Sequence, residues 1–320
     1  MLSHSELPNA ALPIRRVLER TEWETARQAF LERHDKLVRP HVERRSRHES
    51  HPVADFLFEY YRFRPVRLSE WHPGIGVLLR EADPAHFDAR QGYVAHEDGV
   101  IQWPGPESIR PSVARYAEAT GWMLRVLEAT QQRPARFGCF GMHEWAMLYK
   151  STEVRHGSVP LRLPGAEIDA AVDEVGLRCS HFDAFRFFTE AARPLNPGTL
   201  ARSRMAENEQ PGCLHANMDV YRWAFKRAPW VGADLILDAF ELALDIRHLD
   251  MASSPYDLSA WDIAPVPVET AEGRTSFVHA QQEFHARAQG LREQLLADLR
   301  TLMSGLESLH TSFAIDQGSS

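Results

Sequence analysis

Three short segments constrain the fold of this chain more than anything else in it: Cys139-Phe-Gly-Met-His143-Glu144, Cys179-Ser-His181-Phe-Asp183 and Cys213-Leu-His215-Ala-Asn-Met-Asp219. Together they hold all three cysteines of the 320 residues, each two to four positions ahead of a histidine. An acid follows every histidine, and apolar or aromatic residues surround the group. Imidazole and carboxylate are costly to take out of water unless they pair with each other or bind a metal. A chain that buries these segments is therefore expected to bring them together at one site.

A second constraint lies in the stretch Gly232–Leu249, which reads as a helix. Asp234, Asp238, Glu241, Asp245 and His248 recur at intervals of four, three, four and three, so they share one helical face. Most other positions are Leu, Ile, Ala or Phe. Carboxylates stacked in this way repel unless a cation, Arg or His lies opposite. The stripe is either a solvent-facing surface or an inward face that binds a metal or steadies ligand histidines.

The rest of the chain is mostly helical in pattern. Residues 1–12 read as a flexible arm. Pro13 to Arg47 is helical, with a capping box offered by Thr21-Glu-Trp-Glu24 and an apolar stripe interrupted by Pro40. His51–Tyr61 forms a short aromatic helix. Tyr93–Trp103 is expected as a β-hairpin turning at Asp98-Gly99. Further helices are expected over Ser112–Gln132, Gly141–Lys150, Ile168–Val175, Phe182–Phe188, Leu214–Arg227 and Thr275–Leu309. Extended pieces flank the Ile168–Val175 helix. Residues 194–212 make a polar connection long enough for a lid or access loop. The expected fold is mainly α: a helical bundle-like single domain over 13–309, with a small β-hairpin, short extended segments and a flexible tail over 310–320.

Several chemistries fit the three Cys/His segments. A structural zinc site would use thiolate and imidazole together, but its usual close C-x-x-C pair is absent. Buried thiols beside hydrogen-bonded core histidines are a second reading. The third is a catalytic metal held by His143, His181 and His215, or a subset, with a carboxylate completing the set. Two histidines and one carboxylate leave open positions on Fe(II) for dioxygen and substrate. Glu144, Asp183, Glu241 and Asp245 are the candidate carboxylates; Glu241 or Asp245 is assigned to the metal, and Glu144 and Asp183 to catalysis. Arg186, also counted with the catalytic set, or Arg247 would neutralise nearby acids or orient a polar substrate. Tyr61, His72, Trp145 and Tyr221 are candidate substrate contacts, since a planar heterocycle stacks on aromatic faces. Glu153-Val-Arg-His156 matches the E-x-x-H spacing of di-iron bundles, but only once.

Composition excludes other classes. Lys and Arg number 36 against 44 Asp and Glu, a net charge of -8, where a DNA-gripping protein shows a basic surplus or stripe. A local basic face around Arg15, Arg16, Arg20 and Arg44–Arg47 stays open. No run is apolar enough to span a bilayer, no secretory signal opens the chain, and three cysteines make no disulfide framework. A cytoplasmic location is expected. Walker, G-x-G-x-x-G, G-x-S-x-G and H-E-x-x-H motifs are absent. Gly74-Ile-Gly76 matches the hairpin of helix-hairpin-helix glycosylases only in its two glycines, which mark a plain turn equally well.

Four segments carry a resemblance: His143-Glu-Trp-Ala-Met, Cys179–Phe188, Gln210–Asp219 and Asp250-Met-Ala-Ser-Ser-Pro-Tyr-Asp-Leu258. They resemble a group of actinobacterial proteins labelled 3-methyladenine DNA glycosylase, over about His51 to Leu291. That group is in turn similar to the non-haem iron oxygenases of oxazinomycin (C-nucleoside) biosynthesis, which oxidise a pyridine ring. The resemblance implies an oxygenase of specialised metabolism with Fe(II) as cofactor, O2 as co-substrate and zinc as the second choice of metal. Its substrate would be a small aromatic heterocycle or nucleoside. No membrane partner is expected, nucleic acid is disfavoured, and a homodimer is left open. A DNA glycosylase removing alkylated bases is the alternative, and a metal-free helical binding protein the third reading.

Overall fold

The computed structural model describes residues 13–318 except 106, 110, 111, 155 and 156, with side chains described as far as residue 310. The arm expected over 1–12, the last two residues of the tail, and His156 of the E-x-x-H spacing lie outside the described residues. Helices carry 57% of the chain and strands 6%, so the fold is mainly α.

Strand β1 (Arg16–Leu18) leads into helix α1 (Arg20–Ser46). A reciprocal capping box starts α1 between Glu19 and Glu22, two residues before the one read from sequence, and Pro40 lies within the helix. Helix α2 (Phe56–Tyr60) follows, then β2 (Val77–Arg80), β3 (Tyr93–His96) and β4 (Gly99–Gln102). The expected hairpin is β3–β4, pairing Tyr93 with Gln102 and His96 with Gly99. It belongs to a four-stranded sheet of order β1-β2-β4-β3, in which β1 and β2 are parallel and the other pairs antiparallel. The helix expected from Pro13 begins only at Arg20, and Arg16–Leu18 is a strand; this piece and β2 are too short, and lack a turn of their own, for alternation to mark them in the sequence. Val77, Leu79, Tyr93 and Val100 bury one patch of this sheet against Trp23 of α1.

The helical layer contains α3 (Val113–Gln132), α4 (Met142–Ala146), α5 (Gly165–Val175), α6 (Phe182–Phe185), α7 (Met205–Asn208), α8 (Leu214–Phe225), α9 (Ala233–Ala252) and α10 (Ala271–Gly318). Ser112 caps α3 by accepting from the Arg115 amide. α10 runs past Leu309, so residues 310–318 continue the last helix instead of forming a separate tail. Helices α3, α8, α9 and α10 pack on one another, and one apolar core joins residues from α1 through α10. No helix among the described residues is long and apolar enough to cross a membrane.

Gly74 and Gly76 are buried, at φ +94° and +75°. A Cβ on Gly74 would come within 2.9 Å of the Gly232 backbone nitrogen at the start of α9. These glycines seat the sheet on α9, and their turn is no exposed hairpin.

Candidate metal centre

Each of the three Cys/His segments opens a helix, and each opening is fixed by its own device. Gly141, at φ +69°, turns the chain into α4, where a Cβ would meet Ser253 Oγ at 2.6 Å. His143 therefore enters the core in the first turn of α4. His181 occupies the N-cap position of α6, and the segment before it is braced by Asn196, whose side chain accepts from the Cys179 amide and donates to the Cys179 carbonyl. His215 sits in the first turn of α8. The bend before it is tied by Gln210, whose Oε1 accepts from the Arg136 and Gly212 amides. Gln281 of α10 donates to the Gly212 carbonyl, and His285 meets the Pro211 carbonyl.

The expected convergence is present. The His143 and His215 rings lie edge to face with centroids 4.4 Å apart, and His215 lies 5.3 Å from His181. Among the described residues, His143, His215 and Asp250 are the group of three whose ligand atoms all fall within 4.8 Å of one another. His143 Nε2 is 3.2 Å from Asp250 Oδ1, yet neither atom has an aligned hydrogen-bond partner. Donors held about 2.1 Å from one cation stand about 3.0–3.4 Å apart at neighbouring positions. The spacing and the two orphaned buried atoms therefore fit a shared metal ion.

Charge around this trio is balanced by Arg247. Its Nη1 donates to Asp250 Oδ2 at 2.8 Å and to Glu144 Oε1 at 2.9 Å, and its guanidinium stacks 3.8 Å over the Phe56 ring. Burial works against a charged His143, but Asp250 more than offsets it and raises the imidazole pKa. Burial would likewise raise Asp250, and His143 with Arg247 holds it below the usual range. His215 is driven down to about 3, by burial first and then by His143, so it presents a neutral lone pair. The attraction that favours a proton on His143 favours a cation between the same donors.

Beside the trio lies a second buried group. His181 Nε2 is 3.4 Å from both Glu209 Oε1 and Asp219 Oδ2. Asp219 accepts from Tyr61 Oη at 2.8 Å and from Arg222 Nη1 at 3.0 Å, and the same Arg222 nitrogen donates to Asp183 at 2.8 Å. Burial raises Glu209 to about 7. Burial opposes ionisation of Asp219 too, but His181 and Arg222 hold it well below the usual carboxylate range.

Some expectations need correction. Glu241 and Asp245 do not reach the site. Glu241 and Asp238 pair with Arg33 of α1, and Asp245 pairs with Arg287 of α10, all on half-exposed side chains. The acidic stripe of α9 is the outer face, with two arginines opposite it. His181 contacts acids of its own instead of joining the trio. Glu144 and Asp183 are held in ion pairs with Arg247 and Arg222, and Arg186 lies nearer the surface beside Asp183. Trp145 and Tyr221 are core: the Trp145 indole donates to the Ser253 carbonyl, and Tyr221 packs on Tyr61 and Phe240. His72 is buried away from the cavity, and burial lowers it to about 3. Tyr61 reaches the site only through Asp219. Residues 194–212 are no simple lid, since Glu209 and Gln210 are buried.

The sequence reading missed Asp250, Glu209 and Asp219 as site acids. Asp250 had a signal: with Ala243, Ile246 and Arg247 it follows the apolar face of α9, opposite the acidic stripe. An Arg and an Asp three apart on an apolar face must compensate each other or serve a site. Glu209 carries no comparable pattern.

A cavity opens beside His143 and His215. Cys139, Cys179 and Cys213 all line it, with Met142, Leu177, Phe188 and Leu214 among the apolar walls. Burial raises all three thiols, Cys179 to about 12, so they are neutral at pH 7. Phe188 supplies the aromatic wall that Trp145 and Tyr221 do not. No model of a known protein family, no curated protein and no solved structure matches the chain.

Proposed function

We propose that the protein is a non-haem iron-dependent oxygenase acting on a small aromatic heterocycle or nucleoside. The observation that carries this reading is the trio of two imidazoles and one carboxylate, His143, His215 and Asp250, aimed at one point next to an apolar cavity. Bound Fe(II) would supply activation of O2, since this donor set leaves coordination positions open. His143 and His215 would hold the cation from α4 and α8, and Asp250 from α9. Arg247 fixes the Asp250 carboxylate by holding its second oxygen. Leu177, Phe188 and the thiols would give the substrate side of the cavity an apolar wall. A closed structural zinc site is disfavoured because no thiol joins the convergent donors among the described residues.

The pyridine-like substrate class and a place in specialised metabolism rest on the resemblance of the four segments to the glycosylase-labelled group. The glycosylase alternative has less support. Arg20, Arg39 and Arg44 of α1 and Arg47 at its C-terminal cap pair with Glu24, Asp35, Asp55 and Glu49, and the Gly74–Gly76 turn is buried.

The test is anaerobic reconstitution with Fe(II), followed by O2 uptake in the presence of a pyridine C-nucleoside. Iron is expected to bind, to be lost in His215→Ala with the helical circular dichroism retained, and to support ligand-stimulated O2 uptake. Absence of iron binding overturns the reading. So does tightly held zinc without O2 uptake, or a salt-dependent gel shift with alkylated duplex DNA accompanied by base release.

A further inference from the structure

Metal binding at His143, His215 and Asp250 leaves the neighbouring buried group unexplained. His181 is 1% exposed, and neither of its ring nitrogens has an aligned hydrogen bond. Its Nε2 instead faces two carboxylate oxygens at 3.4 Å each, and Glu209 Oε1 is itself orphaned and buried. Glu209 and Asp219 are each 2% exposed. An imidazolium wedged between two acids would satisfy the charge, but a buried N–H is normally aligned on an acceptor, and here it is not.

The construction repeats that of the first trio. In the first, His143 faces Asp250, and Arg247 joins Asp250 to Glu144, the acid next to the histidine. In the second, His181 faces Asp219, and Arg222 joins Asp219 to Asp183, the acid two residues after the histidine. Each Arg lies three residues from its Asp on a central helix, α9 in one case and α8 in the other. The His215 ring stands between the two groups. The second group adds Glu209, whose carboxylate pairs with no arginine among the described residues, although Arg133 donates to its backbone carbonyl.

Resting on the metal-centre reading above, we infer that His181, Glu209 and Asp219 form a second divalent-cation position beside the first. Two carboxylates and one imidazole suit a hard or intermediate cation such as Mn2+ or Fe2+. Among the described residues only the first trio has all its ligand atoms within 4.8 Å, so the second set must contract to close on an ion. Glu209, the longer of the two acids and the one whose carboxylate pairs with no arginine among the described residues, is the member that swings inward. The second position therefore binds more weakly than the first.

The experiment is a titration of the metal-free full chain with Mn2+ under argon, with unbound Mn2+ counted from its electron paramagnetic resonance signal. Two equivalents are expected to bind in two steps, the second at least tenfold weaker. Glu209→Gln is expected to keep the first step and lose the second. Should that variant fail to fold, Glu209→Asp keeps the charge, draws the donor back by one methylene and is expected to weaken the second step by at least tenfold. Saturation at one equivalent overturns the second position and leaves the first intact, as does a second step unchanged in the Glu209 variant. No bound Mn2+ at all overturns both readings.

Discussion

Arg247 shows how much of this site depends on one side chain. It is 2% exposed and balances Glu144 and Asp250 at once. Removing one partner of a buried ion pair leaves an uncompensated charge, at a cost of about 3–5 kcal/mol. Arg247→Met, which keeps most of the volume, should therefore lower unfolding stability by about that amount in urea titrations. The loss should be partly recovered with excess Mn2+, because a cation at the trio neutralises the same carboxylates. A variant as stable as the wild type would mean that the two acids are already neutral. At this scale the histidines were legible, since a cysteine marks each one and the apolar context demands a partner. Asp250 was hidden by the louder acids five to sixteen residues before it.

The elements were more legible than the contacts among them. Periodicity located α3, α8 and α9 to within a few residues and stopped α10 nine residues short of its end at Gly318, but it could not tell which side of α9 faces the core. Both faces carry acids, and only the positions of Arg33 and Arg287, on helices remote in sequence, decide the matter. Because those pairs are half-exposed, each contributes about 0–1 kcal/mol. Glu241→Ala and Asp245→Ala should accordingly leave metal content unchanged and shift stability by less than about 1 kcal/mol. Loss of metal in either variant would restore the inward reading of the stripe. The junction of α1 with α2 behaves differently. Burial would raise Asp55, but hydrogen bonds from Arg44, His41 and the His51 amide more than offset this and depress its pKa. A depressed carboxylate contributes stability above its unfolded value of about 4 and loses it as pH falls through the folded value. The stability gap between wild type and Asp55→Asn should thus be full at pH 6 and close on acidification below about pH 4. A gap constant with pH would mean that Asp55 acts by shape alone.

Across the whole molecule, the sequence revealed which segments must meet but not the frame that makes them meet. The four-stranded sheet was half hidden, because β1 and β2 are too short to show alternation and pair in parallel across about sixty residues of chain. The second buried group was hidden for a related reason: Glu209 comes from a connection that reads as polar loop. Helix α10 closes the arrangement from the far end of the described chain. Gln281 and His285 hold the bend before His215, and Arg292, fully buried, donates to Asn217 one step further along α8. The bend that aims His215 is thus fastened by residues translated well after it. A ribosome that has delivered His143, His215 and Asp250 has still not delivered the clasp, so the emerging chain passes through a stage in which every proposed ligand is present and the bend before His215 is not yet fastened.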